Sequence, residues 1–170
     1  YKIGLELFAA EGPAAIQILR ARHKRVFLDL KLHDIPRTVG AAVRAASAHG
    51  VNLITVHATG GRAMLEAAAQ AAAEAGEHRP HLVAVTTLTS LDQKDLTEIG
   101  IARDLRTHTL ALGRLAIESG IDGLVCSPLE IALFRDRLGP KPILVTPGIR
   151  PAGAEVGDQK RVASPAMAVQ

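Results

Sequence analysis

Six short apolar runs recur along the chain, and each is followed by a stretch rich in alanine and leucine with helical spacing. This alternation constrains the fold more than any other feature. It predicts strands at 2–4, 26–30, 53–57, 82–86, 123–126 and 143–146, and helices at 13–22, 36–49, 61–75, 102–119, 128–137 and from about 164. Pro13, Pro36 and Pro128 suit a first helical turn, where a missing N–H costs nothing. Gly50, Gly76, Gly120 and Gly139 stand where helices should stop. Continuously hydrophobic strands joined by helices imply a parallel sheet covered on its outside.

Two architectures satisfy that pattern, an open doubly wound sheet and a closed (β/α)8 TIM barrel. No Gly-x-Gly-x-x-Gly follows the first full strand, which weakens the dinucleotide-binding form of the open sheet. The polar residues Lys2, Asp29, Lys31, Asp34, His57, Thr86, Thr89 and Arg150 instead cluster at the C-terminal ends of several different strands, as in a barrel. A barrel usually needs about 250 residues and at least about 200. The 170 residues here supply six strands. The expectation is therefore a single barrel domain over 1–170, incomplete at both ends and lacking the first and last strands.

Composition narrows the function. With 48% hydrophobic and 22% charged residues, the chain is a globular domain with a core, not a disordered segment. Basic side chains exceed acidic ones by three but are scattered, and only Tyr1, Phe8, Phe27 and Phe134 are aromatic. A base-stacking platform has almost nothing to build with, so nucleic acid is not expected as a partner. The lone Cys126 lies in an apolar run and reads as a buried thiol in a reducing, cytoplasmic setting. No apolar stretch approaches 18 residues and the first residues are not a basic-then-apolar leader, so neither a membrane span nor a signal peptide is expected.

The strongest local signal is Phe27-Leu-Asp29-Leu-Lys31-Leu-His-Asp34-Ile35-Pro36. Alternation along a strand would project Asp29 and Lys31 together, with Leu28 and Leu30 in the opposite layer. Asp34 follows on the turn into the next helix. A bland alternative makes Asp34 a helix cap and Asp29–Lys31 a solvated ion pair. Against it, charges on the inner face of a strand are costly to desolvate and seldom kept without use.

This stretch resembles the orotidine 5'-phosphate decarboxylase family, whose Asp-x-Lys-x-x-Asp motif stands as Asp29, Lys31 and Asp34. Other pieces match in order: Lys2-Ile-Gly, Val56-His57-Ala58 with Gly60-Gly61, Val85-Thr-x-Leu-Thr-Ser90, and Thr146-Pro-Gly-Ile-Arg150 followed by Gln159. Arg37 stands where the family usually has Asn. The resemblance implies decarboxylation of orotidine 5'-monophosphate to uridine 5'-monophosphate in pyrimidine synthesis, without metal or cofactor. Loss of carbon dioxide leaves charge on a ring carbon with no carbonyl placed to absorb it, so the site must stabilise a carbanion-like transition state and then protonate it. Lys31 is assigned both tasks, with Asp29 and Asp34 beside the substrate carboxylate and Lys2 completing an alternating array.

The resemblance further implies that Asp34 and Thr38 are lent to a neighbouring subunit's site, which makes the functional unit a homodimer. Ile35, with a core position as its alternative, lines the pocket with Thr89 and Pro147, Thr89 on the pyrimidine, and Arg150 and Gln159 reach the 5'-phosphate. Two family residues, a first-strand Asp on the ribose and a last-strand Arg on the phosphate, have no counterpart within 1–170. His33 and His57 lie near the site, where they support its residues or pack and do not catalyse, and the seven histidines show no metal-ligand spacing. Rival readings are a magnesium-dependent sugar-phosphate enzyme that shares the Asp-x-Lys-x-x-Asp motif, and a nucleotide-binding protein without activity.

Overall fold

The computed structural model describes residues 1–151, Arg161 and residues 163–168. The strands are β1 (Lys2–Gly4), β2 (Phe27–Leu32), β3 (Leu53–His57), β4 (His81–Val85), β5 (Gly123–Val125) and β6 (Ile143–Val145). Every neighbouring pair is parallel and the order is β1-β2-β3-β4-β5-β6. A doubly wound sheet reverses its strand order at a switch point. Here the order never reverses, which is the arrangement of a (β/α) barrel, with six strands of its eight in the described residues.

The helices are α1 (Leu5–Glu11), α2 (Ala14–Ala21), α3 (Pro36–Ala48), α4 (Arg62–Ala73), α5 (Gln93–Glu98), α6 (Leu105–Glu118), α7 (Ile131–Leu138) and α8 (Pro165–Ala168). Two of them, α1 and α5, were not expected from periodicity, being only seven and six residues long. The start of α5 is fixed by a reciprocal cap, in which Asp92 accepts from the Asp95 N–H and Asp95 from the Asp92 N–H. α6 begins at Leu105 rather than 102 because the Asp104 carboxylate accepts from Thr107 N at 2.9 Å. The helix expected at 128–137 opens as a 3-10 turn, Pro128–Glu130, because the Glu130 side chain is drawn back to Ser127 N. Among the described residues, no helix is long and apolar enough to cross a membrane.

Strand parity sorts the apolar side chains into two layers. Ile3, Leu28, Ile54, Val56, Leu82, Ala84 and Leu124 pack outward against Val39, Val43, Met64, Leu65, Ala116 and Phe134 from the helices. Burial of each large apolar side chain contributes about 1.5–3 kcal/mol. Close approach is needed where α6 meets α7, since a Cβ on Gly113 would lie 2.5 Å from the Phe134 ring. The other parity, Val83, Val85 and Val125 with Phe27, Leu53 and Val145, faces inward.

At the feet of the strands, two polar side chains tie neighbours together. Asn52, just before β3, accepts from Val26 N through Oδ1 at 2.9 Å, and its own carbonyl accepts from His81 N at 2.9 Å. Asp122, just before β5, accepts from Leu82 N at 2.7 Å and from Arg79 at 2.9 Å, and its carbonyl accepts from Ile143 N at 3.0 Å. Each residue thus spans three strand starts, through its side chain on one flank and its backbone carbonyl on the other. Asp122→Ala strands the Leu82 N–H and frees Arg79, so the denaturant midpoint should fall by the equivalent of about 1.5–3 kcal/mol with turnover per folded molecule unchanged.

Candidate active site

β1 and β2 run side by side with Gly4 opposite Asp29, so Lys2 reaches the same carboxylate that Lys31 reaches from β2 itself. Lys31 Nζ lies 2.8 Å from Asp29 Oδ1, and Lys2 Nζ lies 3.2 Å from Asp29 Oδ2. The Thr55 hydroxyl, from β3, donates to Asp29 Oδ1 at 3.1 Å and accepts the Lys31 backbone N–H at 2.8 Å. Asp29 is thus held on both oxygens, with its side chain only 13% exposed.

Lys31 and Asp29 do meet, but not through simple strand alternation. The β2–β3 register breaks between Leu28 and Leu32, and Lys31 adopts φ +52°, a left-handed conformation costing a non-glycine residue about 1–3 kcal/mol. This bulge turns the Lys31 ammonium back onto the carboxylate two residues before it.

Burial is the largest single influence on Asp29 and by itself would raise its pKa. The hydrogen bonds and charges of Lys31 and then Lys2 outweigh it, and the carboxyl is held below the usual aspartate value. His57, at the end of β3, is pushed below the usual imidazole value by burial first and then by the charges of His33 and Lys31. The His33 and His57 rings stack at 5.3 Å, in keeping with the packing role expected of them.

Lys2, Asp29 and Lys31 open onto a cavity of about 360 Å³ whose wall also includes Thr89, Thr146 and Pro147. Its floor is the inward apolar layer, Phe27, Val85, Val125 and Val145. A larger groove of about 630 Å³ lies at the opposite, N-terminal end of the strands, among Arg20, Arg44, Asn52 and Arg79. Two of its arginines are already paired, Arg44 with Glu74 and Arg79 with Asp122. The cavity at the strand C-termini is where barrel chemistry is performed.

Not every expected site residue gathers there. Asp34 is exposed and its Oδ1 accepts from Ile35 N at 2.6 Å, so the four-charge array is three-membered within one chain. As a helix cap Asp34 also fails, since Ile35 is the N-cap of α3 and no side chain caps it. Ile35 and Thr38 are exposed beside it and stand off the cavity wall. Arg150 is partly buried, its guanidinium donating to Ile149 O at 3.1 Å, and it too is off the wall. Gln159 lies outside the described residues.

Two residues near the site were not singled out by sequence reasoning. Thr55 is one; only the β2–β3 register reveals that it faces Asp29. The other is Arg161, which pairs with Glu130 and donates to the carbonyls of Thr87 at 2.9 Å and Leu88 at 3.1 Å. Both members of this pair are nearly buried, with side chains 10% and 9% exposed. Beside them, Ala163 pairs with Ile149, so the same segment braces the chain carrying Arg150 and the loop carrying Thr89.

A parallel sheet in unbroken chain order, with an ion cluster and a cavity at its C-terminal strand ends, defines an enzyme of the (β/α) barrel class. The family model described as orotidine 5'-phosphate decarboxylase / HUMPS family matches residues 1–170, and the chain belongs to that family. Among its relatives, a Halorhodospira halophila protein is 55% identical over 168 residues, covering 99% of this chain and 71% of the relative. A Nostoc protein is 49% identical over 175 residues, covering 100% and 74%. Both relatives are named orotidine 5'-phosphate decarboxylase. The crystal structure of the Lactobacillus acidophilus orotidine 5'-phosphate decarboxylase superposes with a TM-score of 0.86 at 37% identity, covering 98% of this chain and 71% of that one.

Proposed function

We propose that this chain is the greater part of an enzyme that decarboxylates orotidine 5'-monophosphate to uridine 5'-monophosphate. The observation that carries this reading is the Lys2–Asp29–Lys31 array, with ammonium groups 3.2 Å and 2.8 Å from a single carboxylate at the cavity. In the proposed mechanism, Lys31 Nζ stabilises the charge that develops on the ring carbon as carbon dioxide leaves, and then gives that carbon its proton. Asp29 keeps the ammonium charged and fixed in place, and Lys2 fixes Asp29 from the other side. Thr89 and Pro147 line the pyrimidine end, and Arg150 with Gln159 takes the 5'-phosphate.

The reading is metal-independent. Its support is the donor set: an Asp29 carboxylate with an ammonium on each oxygen is already neutralised and offers a cation little. Loss of orotidylate absorbance, followed with and without chelator, tests both statements. Turnover abolished by chelator and restored by magnesium would favour the sugar-phosphate rival.

The proposed functional unit is a homodimer, in a cytoplasmic, reducing setting that suits a buried Cys126 whose thiol is pushed up to about 12, by burial first and then by Glu130. In this reading Asp34 and Thr38 complete a second copy's site, and their exposure, with Ile35 between them, supports it. Inactive Lys31→Ala and inactive Asp34→Ala, once mixed and allowed to exchange subunits, should regain up to about a quarter of wild-type turnover, since half the dimers then carry one intact site. A mixture as inactive as its parents would count against the shared site.

A further inference from the structure

Thr55 is the one hydroxyl residue of β3, has no exposed surface, and touches both halves of the ion pair above. We propose that Thr55 is a positioning residue for the reaction, its single hydroxyl holding the Asp29 carboxylate and the Lys31 backbone in one fixed relation so that the Lys31 ammonium is presented at one place. The inference rests on the roles given to Lys31 and Asp29 in the preceding subsection.

The hydrogen positions follow from the partners. A backbone N–H can only donate, so at 2.8 Å the Lys31 amide uses a lone pair of Thr55 Oγ1. The one hydroxyl hydrogen is then left for Asp29 Oδ1, 3.1 Å away, which as a carboxylate can only accept. That same oxygen takes Lys31 Nζ at 2.8 Å. Thr55, Asp29 and Lys31 therefore close a ring in which each group fixes the next.

The ring matters because Lys31 has left the regular ladder. The register breaks between Leu28 and Leu32, and at φ +52° the Lys31 N–H donates to a side-chain oxygen where a strand carbonyl would ordinarily accept it. Without that acceptor the partly buried N–H is unsatisfied, and the strain at Lys31 is opposed by its ammonium bond to Asp29 alone. The residue then relaxes toward ordinary extended backbone, which aims its side chain elsewhere. Small misplacements of a reacting group cost up to about a hundredfold in rate.

Thr55→Val keeps the shape and removes both bonds, whereas Thr55→Ser keeps both bonds. For Thr55→Val, kcat on orotidine 5'-monophosphate should fall about 10- to 100-fold with KM changed far less, because the defect lies in preorganisation. The acid limb of its pH–rate profile should move upward, since Asp29 loses a donor that favours its charged form. Thr55→Ser should restore both readouts. A Thr55→Val enzyme within twofold of wild type, or Thr55→Ser as slow as Thr55→Val, would overturn the proposal. Should Thr55→Val fail to fold, the contrast of Thr55→Ser with Thr55→Cys, a weak donor and acceptor, carries the same two outcomes. NMR titration of the Asp29 carboxyl reads the bond without turnover: it should rise in the variant, and an unmoved titration overturns the inference. A wild-type protein that does not decarboxylate the nucleotide would sink the functional reading instead, with the titration still deciding the role of Thr55.

Discussion

Lys31→Ala is expected to lower turnover of orotidine 5'-monophosphate by at least about 10⁴-fold, because one atom supplies both the proton and the stabilising charge. Proton transfer from a placed group contributes about 10²–10⁴-fold, and a preorganised electrostatic partner about 10²–10³-fold. Lys31→Arg should be almost as inactive, since a guanidinium keeps the charge but does not release a proton in the accessible range. The fold should survive both changes. In the alanine variant, Asp29 keeps Lys2 and Thr55 but loses its two strongest compensations, and burial then moves its carboxyl upward. The wild-type carboxyl titrates below its ordinary value, so it contributes stability at neutral pH that disappears as pH falls through the folded-state value. That contribution should shrink in Lys31→Ala, and acid unfolding of the two proteins measures the difference. Absorbance assays placing the alanine variant within tenfold of wild type would remove Lys31 from the mechanism.

The second large effect concerns stability. Arg161→Met removes the cation from a pair whose carboxylate, Glu130, is nearly buried and also accepts from Ser127 N. An uncompensated buried charge costs about 3–5 kcal/mol, enough to lower the midpoint of thermal or urea unfolding sharply. The effect should also depend on pH. Burial already raises Glu130 even with Arg161 beside it, and losing Arg161 raises it further. A carboxyl whose folded-state pKa lies above its unfolded value loses stability as pH climbs between the two. The deficit of Arg161→Met should therefore be smallest at acid pH, where Glu130 is protonated in both states, and widen as pH rises. The double variant Glu130→Gln/Arg161→Met, with no charge left to bury, should recover part of the loss. A deficit that ignores pH would mean that packing, not charge, explains it.

How much of this was legible beforehand follows from what each feature depends on. Strand order and helix placement depend on periodicity and on proline and glycine punctuation, which are local. The alternation read from the chain therefore gave all six strands, and Gly139 does close α7 at φ +77°. The short helices α1 and α5 hold too few turns to show a period, although the Asp92-x-x-Asp95 cap was present to be read. At the site, Asp29 and Lys31 were paired for an incomplete reason. Alternation puts them on one face, whereas the structure brings them together through a bulge and a left-handed lysine. Asp34 and Thr38 follow the motif in sequence but are exposed and stand off the wall of their own cavity, because a turn has intervened. Thr55 and Arg161 were invisible to local reasoning, since their roles come from register and from a contact 31 residues away in sequence. A charge in a stretch rich in glycine and polar residues reads as solvated until a fold buries it.

Asn52 and Asp122 clamp the strands at the end remote from the cavity, and the reacting groups stand at the other. Anchorage and reactivity are thus assigned to different residues at opposite poles. Substitutions around the rim can alter which molecule is accepted while the base keeps β2 to β6 in register. That separation lets one scaffold carry new chemistry by rewriting only the far strand ends and the loops that leave them.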